Sequence, residues 1–330
     1  MKILVTGATG FVGKTLLPLL AEKGHEIIIL TRDINSAQVR VPVVCKIIEW
    51  DPAKPLSHIE DNIDIVINLC GENVASGRWT SKRKQAIYNS RILATRNLIH
   101  YFRKNSHPIK VWISASAIGI YENSIVSDES APSGQGFLAK ICKDWEEETF
   151  KARDLNIRTI AFRIGIVLGF DGGAMKKMLP VFKLGLGGNI SSGNQWMSWI
   201  HVRDLAGLIV EAIDNPSFEG PVNAVSPNHV TNKEFTSTLA GILKRPAFFP
   251  VPGWILKLLL GEMSQLLINS QIISTDLPKI WGYKFIYPKI KNALKIICDQ
   301  AGHTLAVEQW VHQPLDKTFS FFTDPQNLED

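Results

Sequence analysis

The stretch "KILVTGATGFVG", residues 2–13, decides the fold of this chain. It begins with a short apolar run that is typical of a buried β-strand and continues with three glycines, Gly7, Gly10 and Gly13. An amphipathic pattern over residues 11–24 then predicts a helix. In such a strand–turn–helix unit the first glycine permits a tight turn, the second lets a pyrophosphate approach the backbone, and the third lets helix and strand pack closely. The stretch therefore predicts a dinucleotide-binding turn.

Further apolar, β-branched runs alternate with amphipathic stretches along the first half of the chain. The predicted strands cover residues 2–7, 26–32, 43–50, 63–71, 111–117 and 158–169, and the predicted helices cover 11–24, 81–104 and 137–153. Continuous apolar strands that alternate with helices are typical of a parallel sheet with helices on both faces. Right-handed crossovers then give a Rossmann-like, doubly wound α/β fold, in which ligands bind at the carboxyl ends of the strands.

The chain is predicted to divide into three parts. Residues 1–226 form mainly the nucleotide-binding domain, in which the glycine-rich residues 170–200 are expected as loops that line a cleft. Residues 227–298 form a small C-terminal substrate lobe of helices and short strands. Residues 299–330 are either a disordered tail or the truncated start of a further domain, because an amphipathic pattern follows a strand-like alternation there.

The composition argues against several classes of protein. With 330 residues, 45% of them hydrophobic and 20% charged, the chain is an ordinary globular protein. Its net charge of +5 is spread over small clusters such as Lys82-Arg83-Lys84, so no nucleic-acid partner is expected. The four cysteines form no CxxC pair, which favours a reducing compartment over disulfides or a zinc site, and no metal is expected.

Neither a secretory signal nor a membrane span is predicted. The apolar run after Lys2 lasts only three residues before a Thr-Gly pair. The most apolar segment, which begins at Gly253, carries Lys257 and Glu262 and is too short to cross a bilayer. We therefore expect a cytoplasmic protein, and the oligomeric state is left open by the sequence.

The end of the second predicted strand bears on the choice of cofactor. An acidic residue there would bind both ribose hydroxyls of NAD, but this chain has Thr31 and Arg32. A guanidinium can pair with the 2′-phosphate, so the sequence favours NADP(H). The alternative is that Arg32 is merely exposed and that Asp33 selects the cofactor. The residues expected to contact the cofactor are Gly7, Thr9, Gly10, Phe11, Val12, Gly13, Thr31, Arg32, Leu69, Gly71 and Ser114.

Several motifs follow one another in an informative order: "TGATGFVG", "ISASAIGIY", "FLAKICKDWE", "RIGIVLG" and "LGLGGNISSGNQWMSWIHVRD". With them the chain resembles the extended short-chain dehydrogenase/reductase superfamily, and within it the atypical epimerase-family branch of YfcH-like proteins, over about residues 1–296. The resemblance implies an NADP(H)-binding, epimerase/dehydratase-like oxidoreductase. Residues 305–330 are similar to the opening of a helix-grip domain of the lipid- or polyketide-binding kind.

The resemblance also implies catalytic positions. Typical members of the superfamily use Ser, Tyr and Lys, helped by an Asn. Here the Ser position holds Ser116, the Asn position holds Arg91, and the Tyr-x-x-x-Lys pair is replaced by Leu138 and Cys142. Cys142 is either a proton donor or nucleophile whose pKa Arg91 lowers, or a small buried hydrophobe. A core-facing Arg91 would need cofactor phosphate or an anionic substrate as its partner.

Two loops supply candidate substrate contacts. The first, residues 71–84, follows the fourth predicted strand, and the second, residues 193–204, leads into a later helix. The side chains predicted to meet substrate are Glu72, Asn73, Arg78, Trp79, Gln195, Trp199 and His201, of which His201 could instead be a structural histidine. Two functions stay open: an oxidoreductase acting on a small polar or anionic molecule, and a non-catalytic NADP(H)-sensing binding or regulatory protein.

Overall fold

A computed structural model of the chain describes residues 1–105, 107–123 and 126–302. The strands are β1 (Lys2–Thr6), β2 (Glu26–Thr31), β3 (Lys46–Glu49), β4 (Ile65–Asn68), β5 (Val111–Ala117), β6 (Val126–Ser127), β7 (Arg158–Ile164), β8 (Ile166–Gly169), β9 (Gly172–Gly173), β10 (Trp196–Met197), β11 (Trp199–His201), β12 (Gly220–Ala224), β13 (Val230–Thr231) and β14 (Ile272–Ile273). The helices are α1 (Phe11–Glu22), α2 (Ile34–Arg40), α3 (Ser81–Lys104), α4 (Phe137–Phe150), α5 (Met175–Lys183), α6 (Val202–Asp214), α7 (Asn232–Leu243), α8 (Gly253–Leu260), α9 (Gln265–Ile268), α10 (Asp276–Ile280) and α11 (Ile290–Gly302).

The central sheet has seven parallel strands in the order β12-β7-β5-β4-β1-β2-β3. Strand β1 lies between β2 and β4, with Ile3 opposite both Ile27 and Ile65. The chain therefore winds outward in both directions from β1, and the strand order reverses beside it. In doubly wound sheets this reversal opens a crevice at the carboxyl ends of the strands, where ligands bind. The predicted Rossmann-like fold is confirmed.

Both faces of the sheet are buried, which explains the unbroken apolar strands. Along β1, Ile3 and Val5 face the helices α1 and α6, whereas Leu4 faces the side covered by α3. Successive side chains of a strand point to opposite faces, so a strand that is covered on both sides is apolar at every position. On the α3 side, the fully buried ring of Trp112 from β5 joins this packing.

The predicted strand 158–169 is divided in two. It breaks at Gly165, where an added Cβ would lie 2.6 Å from the backbone oxygen of Ser198 and 2.8 Å from a methyl group of Val225. This close approach turns the chain, so that β8 leaves the central sheet and joins β11 and β9. The prediction missed the helix α5 inside residues 170–200, which is short, contains Pro180 and lies in a glycine-rich segment, and the strand β12, whose five residues begin with Gly-Pro.

A buried carboxylate joins the C-terminal segment to the nucleotide-binding part. Asp204, in the first turn of α6, accepts hydrogen bonds from the backbone N–H groups of Ile286, at 2.6 Å, and Tyr287, at 2.9 Å. The Tyr283 hydroxyl donates to the Asp204 backbone oxygen at 3.0 Å. Farther along, α7 and α11 bury their apolar faces together with that of α5. The division at residues 226 and 298 stays a prediction, and most of the predicted tail lies outside the described residues.

In the described part of the chain, no helix combines the length and the apolar character that crossing a membrane requires.

Candidate functional site

The turn between β1 and α1 has the geometry of a phosphate-binding loop. Gly7 has a φ of +69°, and a Cβ there would lie 2.5 Å from the backbone oxygen of Leu69. A Cβ on Gly13 would lie 2.3 Å from the backbone oxygen of Ala8, so no side chain fits at either position. Gly10 is exposed at the N-terminus of α1. The first N–H groups of α1 and the positive end of its dipole therefore face an open space that suits a pyrophosphate.

Phe11 fixes the start of α1 against the glycine-rich segment after β8. Added Cβ atoms on Gly169, Gly172 and Gly173 would lie 2.6, 2.3 and 3.1 Å from the Phe11 ring. The absence of side chains at these glycines lets the ring approach their backbone closely. Phe11 was expected at the cofactor, and the structure gives its side chain this packing role.

A chain of buried hydrogen bonds forms the floor of the crevice. The Thr6 hydroxyl donates to Asn68 Oδ1 at 2.7 Å, and Asn68 Nδ2 donates to Thr95 Oγ1 at 2.9 Å. The Trp145 indole donates to the same Thr95 oxygen at 3.1 Å. These contacts tie β1, β4, α3 and α4 together at the carboxyl edge of the sheet. Sequence reasoning missed them, although polar residues that end buried strands, such as Thr6 and Asn68, are a detectable signal.

The end of β2 distinguishes the two candidates for cofactor selection. Asp33 caps α2, because its Oδ1 accepts from the Ser36 backbone N–H at 2.9 Å. The Arg32 side chain is 71% exposed, and its Nη1 lies 3.5 Å from Glu72 Oε1. The carboxylate of Asp33 is thus used locally, whereas Arg32 extends over the carboxyl edge of the sheet. This arrangement favours Arg32 as the selecting side chain.

Arg91 places a positive charge directly beneath Gly71. Its Nη1 donates to the backbone oxygens of Glu72 and Ile87, both at 3.1 Å, and its guanidinium lies 5.2 Å from the Trp145 ring centre. A Cβ on Gly71 would lie 2.9 Å from this guanidinium. Burial lowers the pKa of Arg91 from its ordinary value. No carboxylate among the described residues pairs with Arg91, so a bound anion would complete its environment.

Ser116 belongs to a buried network on α4 and the neighbouring strands. Its hydroxyl donates to Glu146 Oε1 at 2.7 Å. Arg163, on β7, donates two hydrogen bonds to the same carboxylate, from Nε to Oε1 at 2.9 Å and from Nη2 to Oε2 at 2.8 Å. Arg163 also donates to the Tyr121 hydroxyl at 2.9 Å, and that hydroxyl donates to Asn223 Oδ1 at 2.6 Å. The Ser116 hydroxyl proton is therefore used in a hydrogen bond to the Glu146 carboxylate.

The structure decides between the two interpretations of Cys142. The side chain is 4% exposed and lies with Ile120 and Tyr121 in a small apolar cluster. Burial raises the pKa of the Cys142 thiol to about 12, and the charge of Glu146 adds to the increase. Arg91 acts in the opposite direction but with a smaller effect. The hypothesis that Arg91 makes Cys142 an activated thiolate is wrong, because burial outweighs the cation.

Several groups of the loop 71–84 that were expected to meet substrate contact other residues of the protein instead. Glu72 forms ion pairs with Arg32 and with Arg83, the latter at 3.1 Å. The backbone oxygen of Asn73 accepts from Arg83 Nη2 at 2.6 Å. The Trp79 ring is buried against Phe137, with the centroids 5.1 Å apart, and its indole donates to Val74. The expectation that Trp79 offers a free face to substrate is wrong. Of the four predicted contacts, Asn73 and Arg78 are exposed.

The second predicted substrate loop lies largely in the core. Trp199 is 0% exposed, and its indole donates to the Asn228 backbone oxygen at 2.9 Å. His201 caps α6, because its Nδ1 accepts from the Arg203 N–H at 3.2 Å. The prediction of substrate contact is wrong for both, since neither side chain reaches the surface. Gln195 donates to Ile190 at 2.9 Å, and its buried Oε1 has no partner among the described residues.

His201 gives the protein a specific sensitivity to acid. Burial, with a smaller effect of Arg203, lowers the pKa of His201 to about 4, against about 6.5 for an unfolded chain. Between these values the unfolded state binds more protons, so the contribution of neutral His201 is present above pH 6.5 and is lost as the pH falls towards 4. We therefore expect protonation linked to His201 to lower the free energy of unfolding by about 2 kcal/mol between pH 7 and pH 4.5.

Denaturant unfolding at the two pH values tests this expectation. The variant His201→Asn keeps an N-cap acceptor but cannot titrate, so its stability should fall about 2 kcal/mol less than that of the wild type. Identical pH dependence of the two proteins would contradict the assignment.

The sheet, the switch point and the glycine turn define a dinucleotide-binding, oxidoreductase-like α/β protein. Residues 3–225 match the NAD dependent epimerase/dehydratase family, and residues 251–297 match a domain of unknown function, DUF1731. The chain belongs to the epimerase/dehydratase family, and the resemblance inferred from its motifs is confirmed.

Individual relatives match over nearly the whole chain. It is 37% identical to the epimerase family protein YfhF of Bacillus subtilis, covering 91% of this chain and 99% of YfhF. The crystal structure of human epimerase family protein SDR39U1 with NADPH superposes with a TM-score of 0.81 at 33% identity, covering 91% of this chain and 99% of that one. A nucleoside-diphosphate sugar epimerase from Corynebacterium glutamicum matches with a TM-score of 0.71 at 31% identity, covering 93% of this chain and 59% of the other.

Proposed function

We propose that this protein is an NADP(H)-binding oxidoreductase of the epimerase/dehydratase family that acts on a small anionic substrate without a Tyr-x-x-x-Lys pair. The observation that carries the proposal is Arg91, which lies largely buried beneath Gly71 and pairs with no carboxylate of the described residues, in the crevice that the glycine turn also faces. The crystallised NADPH complex of the human relative supports the choice of cofactor.

The residues at the crevice fit such a cofactor. The turn from Gly7 to Gly13 leaves its backbone free of side chains, so the N–H groups at the start of α1 would hold the pyrophosphate. Arg32 would hold the 2′-phosphate, and Leu69 and Gly71 continue the crevice beyond β4. Thr31, at the end of β2, and the fully buried Ser114 on β5 belong to the same edge of the sheet. When bound, the cofactor supplies the hydride.

The chain itself contributes charge stabilisation more readily than proton transfer. The Cys142 thiol stays protonated because burial raises its pKa to about 12, and the Ser116 hydroxyl donates to Glu146. Among the described residues, Arg91 donates to the protein only through Nη1, so its Nε and Nη2 stay available to a substrate. We infer that Arg91 orients an anionic substrate group and stabilises negative charge that develops on its oxygen, with water providing the proton.

The variant Arg91→Met tests this role. We expect kcat/KM for NADPH-dependent reduction of short 2-oxo acids to fall by about 100-fold, because a preorganised cation is lost. The dissociation constant of NADPH, measured by calorimetry, should change by less than about threefold. Arg91→Lys keeps the charge and should recover part of the rate. If Arg91→Met weakens NADPH binding as much as it slows turnover, Arg91 belongs to the cofactor phosphates instead.

A second function, NADP(H) sensing without chemistry, is favoured by one observation. Both side chains that stand at the catalytic Ser and Lys positions, Ser116 and Cys142, are buried, and the Ser116 hydroxyl donates to Glu146. A screen of aldehydes, ketones and 2-oxo acids distinguishes the two functions. Tight NADPH binding without turnover, together with different affinities for NADP⁺ and NADPH, would support the sensing protein. NADPH oxidation with any of these carbonyl compounds would support the oxidoreductase.

A further inference from the structure

The first turn of α3 carries positive charge at the end of the helix where it is least favourable. Lys82, Arg83 and Lys84 stand there, and the turn contains no acidic residue. The N-terminus of a helix is the positive end of its dipole, so cations in this turn repel it. Arg83 therefore does not stabilise α3, and its partners lie outside this helix.

Arg83 reaches back to the loop that follows β4. Its Nη1 lies 3.1 Å from Glu72 Oε2, and its Nη2 donates to the Asn73 backbone oxygen at 2.6 Å. Within the part of the chain that the structure describes, its buried Nε has no acceptor. The guanidinium is thus held by one carboxylate and one carbonyl, and its buried Nε–H is not used by either contact.

Glu72 serves two guanidinium groups at once. Its Oε2 faces Arg83, and its Oε1 lies 3.5 Å from Nη1 of Arg32, at the end of β2. One negative charge therefore bridges two positive charges, and the cluster keeps an excess of one positive charge. A phosphate monoester carries nearly two negative charges and three acceptor oxygens, so it would match two guanidinium groups better than a single carboxylate does.

The position of the cluster indicates which phosphate would use it. Arg32 directly follows β2, where doubly wound folds bind the ribose of the adenosine half of a dinucleotide. On the basis of the proposed NADP(H)-binding function, we propose that Arg83 is a second clamp for the 2′-phosphate and that Glu72 is an internal competitor. In the free protein Glu72 bridges Arg32 and Arg83, and on binding the 2′-phosphate replaces its carboxylate between them. Arg83 and Glu72 then set the preference for NADP(H) over NAD(H) with opposite signs.

Calorimetric titration with NADPH, NADH and 2′-AMP tests this exchange. Arg83→Gln should weaken binding of NADPH and 2′-AMP by about tenfold, since a charged hydrogen bond to phosphate is lost, and should change NADH binding by less than twofold. Glu72→Gln should strengthen NADPH and 2′-AMP binding by about threefold, because the competing charge is removed, and should leave NADH binding unchanged. The opposite signs are the signature of an internal competitor.

Arg103→Gln is the matched control. It removes an exposed arginine from the same helix, where Arg103 pairs with Asp154 at 2.9 Å, and it should leave all three affinities unchanged. Equal weakening of NADPH and NADH by Arg83→Gln, or weaker NADPH binding in Glu72→Gln, overturns the exchange. If the wild type prefers NADPH but Arg83→Gln keeps that preference, only the exchange is wrong. If the wild type binds neither dinucleotide, both the exchange and the proposed NADP(H)-binding function are wrong.

Discussion

Replacing Gly10 by alanine is expected to weaken NADPH binding by about 100-fold while changing the free energy of unfolding by less than about 1 kcal/mol. Gly10 has a φ of −79°, which any residue adopts, and an added Cβ would meet only the Gly7 backbone oxygen, at 3.0 Å. This contact is tight, so the Gly7 oxygen must move by a few tenths of an ångström to accommodate the methyl group, which is a small cost for the fold. The methyl group would nevertheless stand at the exposed start of α1, where the pyrophosphate must approach the backbone N–H groups.

Two other glycines provide matched comparisons for Gly10→Ala. In α7, a Cβ on Gly241 would meet nothing within 4 Å, so Gly241→Ala should keep NADPH affinity and stabilise the protein by up to about 1 kcal/mol. Gly13→Ala would bring its Cβ to 2.3 Å from the Ala8 oxygen and should lose both stability and binding. Calorimetry and denaturant unfolding measure the two quantities separately. Wild-type NADPH affinity in Gly10→Ala would refute the assigned pyrophosphate position.

Replacing Arg163 by methionine is expected to lower the free energy of unfolding by about 3–5 kcal/mol. The side chains of Arg163 and Glu146 are both 8% exposed, and two hydrogen bonds join them at 2.9 and 2.8 Å. Burial opposes the charge of Arg163, but the hydrogen bonds and attraction of Glu146 raise its pKa above the ordinary value. Without Arg163, the carboxylate of Glu146 would stay buried with Ser116 as its one donor among the residues that the structure describes, which is the reason for the large effect.

A double variant distinguishes the loss of an ion pair from a general packing defect. Arg163→Met with Glu146→Leu leaves no uncompensated charge, so it should be more stable than Arg163→Met alone. Arg103→Met, which breaks the exposed pair with Asp154, should cost no more than about 1 kcal/mol. Denaturant titrations of the four proteins provide the comparison. A loss below about 1 kcal/mol in Arg163→Met, or a double variant less stable than the single one, would show that the pair does not act as described.

The predicted fold came from patterns that are local in the sequence. The helix predicted over residues 81–104 has these same bounds as α3, and β5 covers the predicted residues 111–117. The buried residues of α3 recur at the period of a helix, and Thr80, which caps α3, lies directly before its first residue. The strand predicted over 158–169 failed at Gly165 because the neighbour that forces the break, Ser198, lies far along the chain.

The candidate site was less predictable than the fold, and the reason lies in the side chains. The backbone signal of Gly7, Gly10 and Gly13 needs no partner, since the turn itself demands glycine. Trp199 and His201 belong to residue types that often contact substrates, but the structure places both in the core. Residue type alone could not distinguish a buried indole or a capping imidazole from one that lines a cleft.

By itself the sequence determined the alternating parallel fold and the turn at its first strand, because helix and strand periods and glycine spacing are properties of neighbouring residues. Only the tertiary structure decided the chemistry of the polar groups. It brought Ser116 to Glu146, 30 residues away, and buried Cys142 deeply enough that its pKa rises instead of falling. It also placed Glu72 between Arg32 and Arg83. The charge and pKa of a side chain depend on groups that only folding brings within a few ångströms.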